Sequence, residues 1–342
     1  TDSLTINGTG VRTLAGNGLI DIDVDAGSLT VDAVVTAHGT GTVKLNVDAG
    51  TMTLNAVTSS TTGAITLTSD TLAQNANVTT GGTGTISATA DVAGITMADG
   101  TTTTTDTGII TYTAATNVAL SRLVSTSGNL NVTATAGAIS DNTALETANL
   151  TTTGLATLHA ATGIGGTGAA DIDTALGSLT ALNTTSNGIV LEEADALTIT
   201  AAGVVNQSSG SPIILSSLAG TFTVQGPITA TGAGRIRLSV AGASSDIITS
   251  AAISSGTGSI TLLAARHVTL NASTSVATTG AGTLDLEATA GSITFADNVA
   301  VTTAGGNIRL LAQIDVTLSG INAATGSVTV TATTGSINDA GA

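Results

Sequence analysis

Cysteine is absent from all 342 residues, which removes disulfides, thiolate chemistry and zinc–thiolate sites together. Tryptophan is absent as well, and Tyr112, Phe222 and Phe295 are the whole complement of Tyr and Phe. A globular core of the usual kind therefore lacks its bulky fillers, so Val, Ile, Leu and Ala must do the packing. Proline occurs only at Pro212 and Pro227. No run of 18 apolar residues is present, so no membrane-spanning helix and no membrane insertion is expected. Positive charge is scarce: 7 Lys plus Arg stand against 23 Asp plus Glu, for a net charge of -16. Binding nucleic acid needs cations to neutralise phosphates, so that class of partner is excluded, and an anionic membrane surface repels the chain.

Apolar residues nevertheless make up 42% of the chain and charged ones 9%, a composition too apolar for a disordered linker. The apolar residues come in short alternating runs, the pattern of strands with one buried face. They also repeat. A glycine, a small or polar residue and an apolar-x-apolar pair recur at Gly234-Arg-Ile236-Arg-Leu238, Gly258-Ser-Ile260-Thr-Leu262, Gly282-Thr-Leu284-Asp-Leu286, Gly306-Asn-Ile308-Arg-Leu310 and Gly326-Ser-Val328-Thr-Val330. Earlier relatives begin at Gly27, Gly41, Gly63 and Gly128. Within one unit Ile260 and Leu262, then Val268 and Leu270, then Val276 mark three strands. Three short strands per unit of about 20–24 residues predict an all-β fold, a right-handed parallel β-helix (β-solenoid) in which each unit is one coil. An antiparallel sandwich has no reason to repeat at that interval and would need more hairpin dipeptides such as Asn-Gly.

The expected organisation is a single continuous β-solenoid over 1–342. Its coils are irregular at 140–190 and most regular at 234–342. A further repeat opens at Gly335-Ser336-Ile337, so the chain is expected to be a segment of a longer one. Inward positions should form a dry aliphatic lumen, with Thr, Ser and Asn outside and glycine supplying positive φ at the corners. The run Thr101–Thr105 reads as a polar turn or insertion. Stacked coils should place Asp285 and Arg309 side by side on one outer face.

Stretches such as Gly128-Asn-Leu-Asn-Val-Thr-Ala-Thr-Ala-Gly-Ala-Ile139 and Gly326-Ser-Val-Thr-Val-Thr-Ala-Thr-Thr-Gly-Ser-Ile337 resemble the repeats of large filamentous-haemagglutinin-like adhesins. That resemblance implies a secreted protein of the bacterial cell surface. The expected function is a structural rod of an extracellular surface fibre or adhesin, self-associating end to end or laterally. The alternative is a carbohydrate- or receptor-binding adhesin module, with sites for host or matrix glycans in the irregular middle coils.

An enzyme is not expected. Lys44 is the sole lysine, Arg12, Arg122, Arg235, Arg237, Arg266 and Arg309 are scattered, and His38, His159 and His267 fall in unrelated units, so no clustered acid–base constellation is evident. Cofactors are expected to be none, with Ca²⁺ as the one candidate. Asp21, Asp23 and Asp25 alternate onto one outer face, where their oxygens could serve as metal ligands; the other reading is a solvated acidic face. Asp171 with Asp173, and Glu192 with Glu193, are weaker acidic pairs. Thr-x-Thr pairs at Thr66/Thr68, Thr111/Thr113 and Thr329/Thr331 raise ice binding, but Arg237, Asp285, Glu287 and Arg309 interrupt the ladder.

Overall fold

Alternating apolar runs of three to five residues, cut by glycine and polar turns, become parallel strands in the computed structural model, which describes residues 3–341. The strand pairings among the described residues are parallel, and those residues contain no helix. The fold is a β-solenoid of about 15 turns. It divides into two units, one up to Leu176 and one from Gly177 onward.

In the first unit each coil contributes one strand to each of three walls. The first wall carries Leu4, Leu29, Met52, Leu72, Ile95, Val118 and Ile139 in register. The second carries Val11, Val35, Thr58, Val78, Thr103, Leu123 and Leu150. The third carries Ile20, Val43, Ile65, Ile86, Ile110, Leu130 and Ala156. Side chains alternate in and out along each strand, so these columns fill the interior while their neighbours face water.

The second unit repeats the arrangement. Ile189, Ile213, Ile236, Ile260, Leu284, Ile308 and Val328 stack in one wall, and Ile236, Ile260, Leu284 and Ile308 are all buried, as the 24-residue glycine spacing requires. Each such side chain removed from water contributes about 1.5–3 kcal/mol. The few aromatics join this core. Phe222 stacks between Leu197 and Ile247, Phe295 on Leu270, and Tyr112 beside Ala88, whose small side chain leaves room for the ring.

Gly27 lies between the third and first walls with the expected positive φ of 102°, but the other motif glycines occupy the corner between the second and third walls, and their role corrects that expectation. Gly63, Gly84, Gly108 and Gly128, and Gly234, Gly258, Gly282, Gly306 and Gly326, do not have positive φ. What they lack is room: a Cβ on Gly258 would run into the Gly234 carbonyl oxygen, one on Gly282 into that of Gly258, one on Gly306 into that of Gly282, and one on Gly326 into that of Gly306. The same ladder runs through Gly41, Gly63, Gly84, Gly108 and Gly128 in the first unit. Positive φ belongs to other turn glycines, such as Gly100 at 79° and Gly232 at 61°.

The lumen is not purely aliphatic. A serine or threonine points inward at the end of the second wall and ties the glycine corner together. Ser60 Oγ donates to the Gly41 carbonyl at 2.6 Å and accepts from Gly63 N at 2.9 Å. Ser255 donates to the Gly234 carbonyl at 2.7 Å and accepts from Gly258 N at 3.1 Å. Thr80, Thr105 and Thr152 reach the carbonyls of Gly63, Gly84 and Gly128, each at 2.7 Å. A buried hydroxyl is tolerable because these glycine backbone groups satisfy it.

Thr101–Thr105 is likewise not a turn. Thr102–Thr105 is a strand of the second wall, with Thr103 and Thr105 buried. Threonine has the branched shape of valine, so the register of the wall, fixed by Val78 and Leu123 on either side, prevails over its polarity.

At 140–190 two long strands appear, Leu150–Ala160 and Ile172–Asn183. Leu150–Ala160 serves two walls, pairing Leu150 with Leu123 and Ala156 with Leu130, so that Gly154 and its neighbours form the corner inside one continuous strand. The glycine string Gly163–Gly168 forms a turn with φ of 116°, 66° and 66° at Gly163, Gly165 and Gly168. Leu197–Asn206 repeats the two-wall device in the second unit, turning at Gly203 with φ 80°.

Candidate functional site

The acidic triplet lies on and just after the strand Ile20–Val24. Asp21 and Asp23 point outward, and Asp25 begins the turn that follows. The next coil divides them. Asp21 faces Lys44, with Nζ to Oδ1 at 3.5 Å and both side chains about half exposed. Asp23 and Asp25 instead meet Asp48, with carboxylate oxygens of the three within 4.8 Å of one another. Asn46 Nδ2 donates to Asp23 at 2.7 Å and to Asp48 at 2.6 Å, supplying the positive end of a dipole between two anions. Oxygen ligands in this number suit a hard cation such as Ca²⁺, and all three residues are exposed. The group the structure assembles is thus Asp23, Asp25 and Asp48, with Asp21 engaged by lysine.

A second acidic group joins residues that the sequence keeps far apart. Glu146, in the loop 142–149, meets Asp171 and the buried Asp173 with carboxylate oxygens within 4.8 Å. Asn149 organises the surroundings: its Nδ2 donates to Asp141 at 2.6 Å and to the Ser121 carbonyl at 3.0 Å, and its Oδ1 accepts from Asp173 N at 3.0 Å. Asp171 and Asp173 are visible as a pair in the sequence. Glu146 carries no such signal, because a wide loop delivers it.

Charged pairs elsewhere follow the stacking. Arg309 makes two bonds of 2.8 Å to Asp285 and a third of 2.8 Å to Glu287, so the lateral pair expected from the repeat is present. These hydrogen bonds, Asp285's first, hold the Arg309 guanidinium above its ordinary pKa. Arg266 forks onto Asp246 at 2.8 and 2.6 Å. That guanidinium, helped by the His267 backbone N–H, lowers the Asp246 carboxyl below the usual range despite its partial burial.

The histidines do not converge. His38 Nδ1 lies 2.9 Å from the Gly16 carbonyl, His159 faces outward from Leu150–Ala160, and His267 Nδ1 accepts from Ser292 N at 3.0 Å. In the interior, Gln74, Thr103 and Tyr112 come from three different walls and close a ring of hydrogen bonds. Tyr112 donates to Gln74 Oε1 at 2.5 Å, Thr103 lies 2.6 Å from the phenol, and Gln74 Nε2 donates to Thr103 at 3.0 Å. Burial pushes the phenol well above its ordinary pKa.

Threonine rows take opposite forms in the two units. In the second unit the outer column Ile214, Arg237, Thr261, Asp285, Arg309, Thr329 is interrupted by charge. In the first, Thr68, Thr89, Thr113 and Thr133 lie over one another unbroken. No family model, curated protein or solved structure matches the chain.

Proposed function

We propose that this chain is a structural element of an extracellular bacterial surface fibre or adhesin, and that its work is mechanical and not catalytic. The single observation that carries the reading is the glycine corner. Backbone of one coil rests directly on backbone of the coil before, and at Ser60, Ser125 and Ser255 a hydroxyl pins the two together. Ladders of this kind resist extension along the stack without any disulfide, and most of the outer surface is spent on small polar side chains with no catalytic grouping. The resemblance to filamentous-haemagglutinin-like repeats supports the location. Self-association, end to end or lateral, is part of the same proposal.

Two measurements test it. Antibody labelling of intact cells should find the chain at the surface, and its retention inside the cell would overturn the location. Pulling single molecules should give a series of similar force steps, each releasing about one coil; smooth yielding at low force would overturn the mechanical reading.

One observation favours a second reading, a glycan- or receptor-binding module. The irregular stretch at 140–176 brings Glu146, Asp171 and Asp173 together under a loop that exposes Leu145. A glycan array comparing the whole chain with a variant shortened across 142–148 discriminates: equal binding by both removes this reading.

A further inference from the structure

The arginines of this chain are of two kinds. Arg266 and Arg309 spend their charge on carboxylates at 2.6 and 2.8 Å. Arg235 and Arg237 do not: both side chains are exposed on one strand edge and face, and neither pairs with a carboxylate among the described residues. They stand two residues apart, so alternation sends both to the same outer side, roughly 7 Å apart along the chain. In a protein of net charge -16, two unneutralised guanidiniums side by side are an unusual concentration of positive potential.

They also border a depression of about 400 Å³. Ile214 on the preceding coil gives it an apolar flank, and Ser239, Ser259 and Thr261 supply hydroxyls around the rim. The hydroxyls of Ser239 and Thr261 make no hydrogen bond among the described residues, so they are available to a ligand. Competing anions are distant. In the same columns the nearest carboxylates are two coils away on either side: Glu192 before Ser239, and Asp285 and Glu287, held by Arg309, beyond Arg237 and Ser239. At the spacing of stacked strands that is about 10 Å, on the order of one screening length at 0.1 M salt.

We propose that Arg235 and Arg237, with the hydroxyls of Ser239, Ser259 and Thr261, form a binding site for an acidic polysaccharide. Each guanidinium takes one anionic group of the polymer, carboxylate or sulfate, through paired N–H donors, and the rim hydroxyls take sugar oxygens. The apolar flank of Ile214 offers a sugar ring the contact that an aromatic platform would give elsewhere. The site lies in regular coils and does not depend on the mechanical reading or on the loop at 142–149.

The test uses the full chain and three immobilised polymers: polygalacturonate for carboxylate, dextran sulfate for sulfate, and neutral dextran. The wild type should bind one or both polyanions and not dextran, with affinity falling about tenfold between 50 and 200 mM salt, as expected for release of counterions from two contacts. R235E/R237E should lose at least tenfold in affinity at 50 mM salt with an unchanged unfolding midpoint. R12E/K44E changes the net charge equally at residues that do not line the depression and should stay within twofold of wild type. Preference between the two polyanions identifies the anionic group. The proposal is overturned by equal losses in the two double variants, by equal binding to neutral dextran, by affinity indifferent to salt, or by no binding of the wild type to either polyanion at 50 mM salt.

Discussion

Two side chains state the chemistry of the interior most clearly. Tyr112 is fully buried and its phenol is held by Gln74 and Thr103. Tyr112→Phe leaves the ring in place but strands two polar partners, so it should cost about 1–3 kcal/mol in a urea denaturation experiment. The same group sets an alkaline limit. Its folded pKa is raised, so the stability it contributes is complete below the unfolded-state value of about 10 and is lost above it, at about 1.4 kcal/mol per pH unit. Since this is the only tyrosine, its ultraviolet titration should show no phenolate until the fold gives way. A normal titration near pH 10 in folded protein would contradict the buried ring of bonds. Gly282 makes the complementary point. Gly282→Ala should cost about 1–3 kcal/mol or more because its methyl meets the Gly258 carbonyl, whereas Gly100→Ala, with φ 79° and open space, should cost only about 1 kcal/mol. Thermal or urea midpoints of the two variants decide the order.

Strands and corners explain how much could be read in advance. The motif of glycine with an apolar-x-apolar pair declares the inward columns, and Ile260 over Ile236 and Arg309 beside Asp285 follow from its spacing alone. Inward Thr103 and Ser255 were not legible by polarity, since a hydroxyl is normally an outward signal. A hydroxyl recurring three residues ahead of the motif glycine, as at Ser60, Thr105, Ser125, Ser255 and Thr303, is the trace that would have found Ser255, while Thr103 is placed only by its register with Val78 and Leu123. The continuous strand Leu150–Ala160 escapes a reading based on turn residues because its corner contains only Gly154. Glu146 escapes because its neighbours Asp171 and Asp173 are a coil away. The acidic triplet was legible as a charge cluster, but its division between Lys44 and Asp48 depends on the register of the next coil. Coil identity has a direct consequence. Removing residues 260–283 joins Ser259 to Leu284 and restores the motif, so the variant should fold with parallel-sheet circular dichroism and cooperative unfolding. Removing only 260–271 breaks the register of all three walls and should abolish both. Equal folding of the two deletions would refute the coil as the unit of structure.

For the whole chain, solubility rests on carboxylates, since stacked strands covered in threonine otherwise offer little to keep copies apart. With 23 acidic and 7 basic side chains, repulsion should collapse as the pH falls toward the isoelectric point of about 4.1. Light scattering across a titration from pH 7 should show association setting in there and reversing on neutralisation; a flat trace would mean that hydration of the polar faces suffices.

The glycine corner leaves the corner between the first and second walls free to vary in length. Between the first and second walls the connection ranges from Ser121 alone to the stretch 142–149. Foreign segments grafted at that edge should thus be carried at regular pitch along a fixed keel, much as rungs of differing width can hang from one rail.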